Sequence, residues 1–240
     1  MPNPNAAMLV IGDEILSGRT RDANMHHLAG QLSARGIDLK EVRVVADDPA
    51  SIISAVQVLS ESYDHVFTSG GIGPTHDDIT ADCIAQAFDD TIDVRADARA
   101  ILEAHYAQIG TELNEARLRM ARVPSRAQLI ENPVSAAPGF SLENVHVMAG
   151  VPKIFEAMVQ SLLPTLTGGD PLVSKSLRIH RGEGEIAGPL GALAKRFDVL
   201  SIGSYPFQKD GLHGANVVIR GTDSVMVETA FKELEAIFAA

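Results

Sequence analysis

The stretch Val66-Phe-Thr-Ser-Gly-Gly-Ile-Gly-Pro-Thr-His-Asp-Asp-Ile-Thr80 decides the fold of this chain. A short apolar run leads into three glycines within four positions, and an apolar helical pattern starts at Ile79. The stretch therefore predicts a strand, a glycine-rich loop and a helix. Ligands bind at the carboxyl ends of strands in open α/β sheets, and glycines allow the backbone to approach an anion closely.

Two adjacent carboxylates, Asp77 and Asp78, follow the glycines. They would repel a phosphate unless a divalent cation lay between them or they took part in the reaction. Further acidic residues follow the first two predicted strands and are expected at the same rim: Asp13, Glu14, Asp47 and Asp48. Acidic groups at three strand ends favour a hard cation such as Mg²⁺, bound through oxygen. The alternative is a solvated acidic face whose aspartates cap helices.

Composition argues against several classes of function. The 240 residues carry a formal net charge of −11 and contain no long Lys/Arg cluster, so nucleic acid and anionic membranes are poor candidates as partners. Cys83 is the single cysteine, which excludes an internal disulfide and fits a cytoplasmic protein. The N-terminal residues do not resemble a signal peptide. No apolar run approaches the roughly 20 residues needed to span a bilayer.

Three strand–helix units in succession predict an α/β fold, with a three-layer α/β/α, doubly wound and mostly parallel sheet. Its first three strands are expected over residues 7–11, 38–45 and 65–68, and the first of these is an uninterrupted apolar run, as is typical of a strand buried on both faces. A helix is expected over about 24–35, capped by Asp22, and another after Pro49 with an apolar stripe at 3.6-residue spacing. Residues 12–18 are expected to form a loop.

The second half of the chain is less regular. Residues 93–120 have the pattern of polar helices with no strand between them, and 132–140 are rich in turn residues. Short strands are expected over 128–130 and 145–148. The second of these leads through Gly150 and Pro152 into a helix that ends near residue 166, which gives a second strand–loop–helix junction.

A break at Thr167-Gly-Gly-Asp-Pro171 predicts two domains, residues 1–170 and residues 171–240. The second is expected to be a small β-α-β-β-α unit, with strands at 175–180, 198–204 and 215–220. Its Gly182-Glu-Gly-Glu185 segment carries acids, which disfavours RNA binding there.

Several of these motifs resemble known families. The run Gly70-Gly71-x-Gly73-Pro74 with Asp78 and Thr80 resembles the signature of the molybdopterin-binding domain shared by the MoaB, Mog, MoeA and gephyrin proteins. The chain is more closely similar to the competence/damage-inducible protein A (CinA) family in three segments: Gly12–Gly18 with Asn24, Asn132-Pro-Val with Ala137-Pro-Gly139, and Gly150-Val-Pro152. Ile72 stands where molybdenum-cofactor proteins usually have threonine. The C-terminal unit resembles the small KH-like domain of CinA.

The resemblance implies a site around the glycine loop. In molybdenum-cofactor members this loop holds the pterin phosphate, and two aspartates that match Asp47 and Asp78 serve adenylyl transfer. In CinA and in the related domain of eukaryotic FAD synthase, the implied activity is metal-dependent cleavage of a dinucleotide pyrophosphate such as ADP-ribose or FAD. CinA often carries a further C-terminal amidase domain, so a short form without that domain is expected.

The leading prediction is therefore a metal-dependent hydrolase of a phosphorylated small molecule, assembled as a homodimer or homotrimer. Asp47 and Asp78 are the expected catalytic pair, and together with Asp77 they are the expected ligands of Mg²⁺, Mn²⁺ or Co²⁺; K⁺ is a further candidate. The expected binding residues are Gly70, Gly71, Gly73, Pro74, Thr75, Glu14, Asn24, Asn132, Gly150 and Pro152. Two alternatives stay open: a molybdopterin-binding protein, and a non-catalytic ligand-binding or assembly module.

Overall fold

A computed structural model describes residues 2–209 and 212–238 of the chain, which forms two compact units that divide after Gly169. The strands of the first unit are β1 (Asn5–Ile11), β2 (Asp38–Val45), β3 (His65–Ser69), β4 (Ile92–Val94), β5 (Arg122–Pro124), β6 (Gln128–Ile130), β7 (Gly139–Leu142) and β8 (Val145–Met148). Its helices are α1 (Asp13–Leu16), α2 (Asn24–Ala34), α3 (Pro49–Ser62), α4 (Thr80–Ala87), α5 (Ala96–Gln108), α6 (Glu115–Leu118) and α7 (Pro152–Leu162).

Six of these strands form one mixed sheet in the order β2-β1-β3-β8-β7-β6. The four strands β2, β1, β3 and β8 run parallel, while β7 is antiparallel to both β8 and β6. Consequently β6 runs in the same direction as β8, and the β6–β7 hairpin turns at the carboxyl edge of the parallel strands. The predicted α/β class with a mostly parallel sheet is confirmed.

Helices cover both faces of this sheet, because the residues of its central strands are apolar on both sides. Along β1, Leu9 packs into one core with residues of α3, α4 and α5, whereas Met8 packs into the other with residues of α2 and α7. This alternation follows from the two-residue period of a strand. Cys83 lies in the first core, where burial raises the pKa of its thiol to about 11.

Three local predictions were wrong. Residues 12–18 are not a plain loop, because they contain α1. The segment 93–120 begins inside a strand, since β4 pairs antiparallel with β5 in a separate two-stranded sheet. The expected loop 132–140 ends inside β7, which starts at Gly139. All three elements have three or four residues, so their form depends on pairing and packing with distant residues rather than on a local periodic signal.

The second unit contains β9 (Val173–Ile179), α8 (Glu183–Arg196), β10 (Ser201–Lys209), β11 (Leu212–Gly221) and α9 (Ser224–Phe238). Its antiparallel sheet has the order β10-β11-β9, and one apolar cluster fills the space between this sheet and the two helices. The elements follow one another in the β-α-β-β-α order that the sequence predicts. Within the part of the chain that the structure describes, no helix is both long and apolar enough to cross a bilayer.

Candidate functional site

A cleft of about 510 Å³ lies at the carboxyl edge of the large sheet. Its walls come from the segments that follow β1, β2, β3 and β8 and from the β6–β7 hairpin. The lining residues are Ile11, Gly12, Glu14, Thr20, Asp47, Gly70, Gly71, Ile72, Gly73, Pro74, Asp77, Asp78, Met120, Asn132, Ser135, Ala137, Ala149, Gly150, Val151, Pro152 and Ile154. This volume is in the range of small-molecule sites.

The glycine loop after β3 is shaped by close contacts with its own protein. Gly70 and Gly71 have φ values of +113° and +68°, which side chains rarely tolerate. A Cβ on Gly70 would lie 2.2 Å from the Ile11 carbonyl oxygen, and one on Gly71 would lie 2.1 Å from the Thr80 hydroxyl. Thr80, which is buried, donates from Oγ1 to the Gly70 carbonyl at 3.0 Å and from its backbone N–H to the Gly71 carbonyl at 2.9 Å. The glycines are therefore needed for packing as well as for access.

Three consecutive backbone donors in this loop have no protein acceptor. Among the described residues, no group accepts a hydrogen bond from the N–H of Gly71, Ile72 or Gly73. By contrast, the N–H of Gly70 donates to the Met148 carbonyl at 3.1 Å and so joins the two strand ends. Successive open N–H groups form a concave site that is typical of oxyanion binding.

The junction after β8 repeats this arrangement beside the first. Over the described ranges, the N–H groups of Gly150 and Val151 also lack protein acceptors, and α7 begins directly afterwards with Pro152 at its first turn. The two loops touch, since a Cβ on Gly150 would lie 3.3 Å from the Gly70 Cα. Two sets of open donors thus lie in the loops that follow the neighbouring strands β3 and β8.

Asn24 fixes these two loops from behind. The residue is 4% exposed, and its Nδ2 donates to Ser69 Oγ at 2.7 Å and to the Gly150 carbonyl at 2.8 Å. Its Oδ1 is buried with no partner in the described structure. The structure therefore places Asn24 as a support for both loops, beside the cleft rather than in its lining.

Asp47 is a carboxylate of the cleft whose pKa is raised. Burial raises its pKa, and the negative charges of Asp13, Glu14 and Asp77 raise it further, while the hydrogen bond from the Asp13 N–H lowers it. That N–H donates to Asp47 Oδ2 at 3.0 Å and ties the β2 end to α1. The repulsion shows that acids from three strand ends lie near one another, whereas Asp13 and Asp48, which were expected at the same rim, do not line the cleft.

Asp77 and Asp78 are both held by Thr75. Asp78 Oδ2 accepts from the Thr75 N–H at 2.8 Å and lies 2.6 Å from its Oγ1, while Asp77 Oδ1 lies 2.5 Å from the same hydroxyl. The Thr75 hydroxyl is the main cause of a lowered pKa for Asp77. Thr75 thus braces the acidic part of the loop, whereas both aspartates line the cleft. His76 points fully into solvent.

The charge of the cleft is one-sided. Among the described residues, its lining contains four carboxylates, Glu14, Asp47, Asp77 and Asp78, and neither a lysine nor an arginine. Within the described ranges, no three acidic, histidine or cysteine side chains lie close enough to hold a metal by themselves. Mg²⁺ is commonly held by one or two carboxylates together with phosphate oxygens of the ligand. The donor set therefore fits a cation that binds with an anionic ligand.

Arginine side chains lie beside the glycine loop, and they belong to none of the predicted motifs. Arg119 and Arg122 line a small cavity together with Gly71, Gly73 and Asp78. Arg119 Nη2 lies 3.5 Å from the Asp78 carbonyl oxygen, and Arg122 pairs with Asp82. Arg119 falls in the segment 93–120, where only polar helices were expected, and Arg122 lies just after it. The usable signal was three arginines within six residues, starting at Arg117.

Two family models match this chain. Residues 7–168 match a probable molybdopterin binding domain, and residues 171–240 match the middle domain of FAD synthase. A probable FAD synthase of Caenorhabditis elegans is 33% identical over 98% of this chain and 50% of its own length. A CinA-like protein of Citrifermentans bemidjiense is 38% identical over 68% of the chain and 40% of its own length. The chain thus spans about half or less of these relatives.

A solved structure agrees with this assignment. The crystal structure of the protein CinA from Thermoplasma acidophilum is 34% identical, covers 69% of this chain and 99% of its own, and aligns with a TM-score of 0.63. The fold and the glycine loop define an α/β domain of the molybdopterin-binding class. The chain belongs to the molybdopterin-binding domain family, and within it to the branch of the CinA N-terminal region.

Proposed function

We propose that this protein binds the diphosphate of a dinucleotide and, with a divalent cation, hydrolyses it. The observation that carries the proposal is the pair of open donor sets after β3 and β8, whose residues line one cleft together with four carboxylates. Neighbouring strands lie about 4.8 Å apart, so the two sets suit two linked phosphoryl groups. The C. elegans relative named as a probable FAD synthase supports a dinucleotide as the ligand.

The cation requirement follows from charge. A diphosphate in a cleft with four carboxylates and no basic lining residue would be repelled unless positive charge entered with it. Asp47 and Asp77, which repel each other, would hold the cation, and Asp78 would contribute through Oδ1, the oxygen that Thr75 leaves open. The cation would neutralise the phosphoryl oxygens and lower the pKa of the attacking water.

The backbone N–H groups of the two loops would bind the two phosphoryl groups. The N–H groups of Gly71, Ile72 and Gly73 would hold one phosphoryl group, and those of Gly150 and Val151 the other. Water oxygen bonds to one phosphorus, the bridging P–O bond breaks, and the released protons pass to solvent through the open cleft. With ADP-ribose the products are AMP and ribose 5-phosphate.

The test is turnover of ADP-ribose and FAD by the pure chain with Mg²⁺, Mn²⁺ or Co²⁺, followed as release of AMP. Asp47→Asn should lower turnover more than about 100-fold. Asp48→Asn is the matched control: Asp48 is the adjacent carboxylate, caps α3 through the Ser51 N–H at 2.8 Å, and does not line the cleft. The proposal is lost if wild-type turnover does not exceed that of Asp47→Asn with any of the three metals.

A second candidate, molybdopterin binding, is favoured by the description of the matching family model. A pterin monophosphate would occupy one donor set only and leave the other open. It would rest on the apolar part of the cleft near Ile72 and Met120. Pterin fluorescence in the purified protein, together with no affinity for dinucleotides, would favour this candidate. Dinucleotide affinity without turnover would instead favour a non-catalytic binding module.

A further inference from the structure

The β6–β7 hairpin forms the end of the cleft that lies away from Glu14 and Asp47. In the sheet order, β7 is three strand spacings from β1, which corresponds to about 14 Å. Glu14 and Asp47 therefore lie at one end of the cleft, the glycine loop lies between, and the hairpin residues Asn132, Ser135 and Ala137 lie at the other end. A ligand whose diphosphate binds at the glycine loop extends toward this hairpin.

Asn132 shapes the hairpin and has no capacity left for a ligand. Its Oδ1 accepts from the N–H groups of Val134 at 3.1 Å and Ser135 at 3.2 Å. Its Nδ2 donates to Ser135 Oγ at 2.7 Å and to the Ala137 carbonyl at 2.8 Å. All of these bonds are internal to the turn, and the side chain is 4% exposed. Asn132 thus acts on the cleft by fixing its neighbours.

Ser135 is the neighbour that Asn132 orients. Its Oγ accepts from Asn132 Nδ2, so the hydroxyl proton is directed away from that bond. Across the described residues, no protein group accepts this proton, and the half-buried side chain lines the cleft. An oriented donor without an acceptor, at a cleft wall, is suited to a hydrogen bond with a ligand.

The position of Ser135 in the cleft indicates which part of the ligand it contacts. In the proposed function, the cation binds at the end of the cleft near Glu14 and Asp47, and phosphate binds to the open N–H groups in the middle. What remains at the hairpin end is apolar surface from Met120, Ala137 and Ile154, which suits the flat face of a base. We propose that Ser135 is a specificity-determining residue that donates a hydrogen bond to a neutral acceptor on a nucleoside, whose base binds at this end.

This inference rests on the proposed function and fixes the direction of the ligand: nucleoside at the hairpin, diphosphate at the glycine loop, and cation beside Asp47. It is tested by calorimetric affinities for two probes, pyrophosphate and ADP, each with Mg²⁺. Ser135→Ala should weaken ADP about two- to tenfold, the effect of one neutral hydrogen bond, and leave pyrophosphate unchanged. Ser135→Thr, which keeps the hydroxyl, should restore most of the ADP affinity.

Thr20→Val is the matched control, because Thr20 supplies a hydroxyl to the same cleft at its carboxylate end. It should produce no loss that is confined to ADP. Equal weakening of both probes by Ser135→Ala would mean that the hydroxyl only shapes the turn, and no weakening of either would mean that it meets no ligand; each result overturns the inference. Dinucleotide turnover with either result would leave the proposed function intact. A wild-type chain that binds neither probe would overturn both proposals.

Discussion

The two edges of the parallel strands differ in whether their polar groups have hydrogen-bond partners within the protein. At the carboxyl edge, the loops after β3 and β8 leave backbone N–H groups open, and Asp47 lies among other acids. At the amino edge, polar side chains bond to one another. His146, which is 4% exposed, has Nδ1 2.8 Å from Ser141 Oγ and Nε2 3.3 Å from His65 Nδ1. Unsatisfied groups are costly unless a ligand uses them, which supports the proposed ligand site at the carboxyl edge.

Asn144 provides the strongest test of the amino edge. Its Nδ2 donates to the carbonyls of Ser60 and Tyr63 at the end of α3, and its Oδ1 accepts from the Ser60 hydroxyl at 2.6 Å. We expect Asn144→Ala to lower the free energy of unfolding by about 2–3 kcal/mol, because partly buried groups lose their partners. Urea titration measures this loss, and ADP affinity should be unchanged.

The control for Asn144 is the same substitution at an exposed site with a single bond. Asn114 caps the short helix α6 through the Arg117 N–H at 3.0 Å, so Asn114→Ala should cost about 1 kcal/mol. If Asn144→Ala abolished ADP binding at full stability, the contrast between the two edges would be refuted.

His146 makes the amino edge sensitive to acid. Burial is the main cause that lowers its pKa to about 3, and the His65 charge adds to it. Because this folded pKa is below the usual 6.5, the unfolded chain takes up the proton first, and stability falls as the pH drops from about 6.5 toward 3. At pH 5 this loss is about 2 kcal/mol.

His146→Gln removes this titration. Between pH 7 and pH 5, the free energy of unfolding should therefore fall by about 2 kcal/mol less in this variant than in the wild type, as measured by urea unfolding at both pH values. His26→Gln, on the exposed side of α2, is the control. Parallel pH profiles for wild type and His146→Gln would contradict the prediction.

Asp47 and Asp48 offer the smallest but most direct contrast. The pKa of Asp47 is raised, so its ionised form opposes folding above the usual carboxyl pKa; that of Asp48 is lowered by the Ser51 N–H, so its charge favours folding. In the absence of metal at pH 7, Asp47→Asn should raise the free energy of unfolding by a few tenths of a kcal/mol after solvent screening. Asp48→Asn should lower it. Differential scanning calorimetry tests the two signs, and a stabilising Asp48→Asn would refute the assignment.

The sequence predicted the parallel half of the fold well, because its signals are local. The apolar runs of β1 and β3 and the apolar stripe of α3 are patterns that one segment alone displays. The sequence could not predict β4 and β5, because each has three residues and the stability of each depends on a partner about 30 residues away. For the same reason β7 was not predicted: it has four residues, and it begins within the segment 132–140, which is rich in turn residues.

The sequence predicted which residues gather at the candidate site, but not which of them line the cleft and which only support it. Residue type and strand order were sufficient to bring Glu14, Asp47 and the glycine loop to one rim. They did not distinguish Asn24, which supports two loops from behind, from a residue in the lining. They also did not reveal that the N–H of Thr75 donates to Asp78 and that its hydroxyl lies within hydrogen-bond distance of both Asp77 and Asp78. Such roles depend on side-chain geometry that spacing does not encode.

The near contact of Gly70 and Gly150 has a consequence for what the cleft accepts. No side chain separates the two loops, and the sheet beneath them cannot widen without breaking the bond from the Gly70 N–H to the Met148 carbonyl. Under the proposed function, the cleft therefore selects ligands by the distance between their anionic groups. A compound whose two anionic groups are joined by a chain of several methylenes would carry the right charge, yet it would reach only one set of donors at a time.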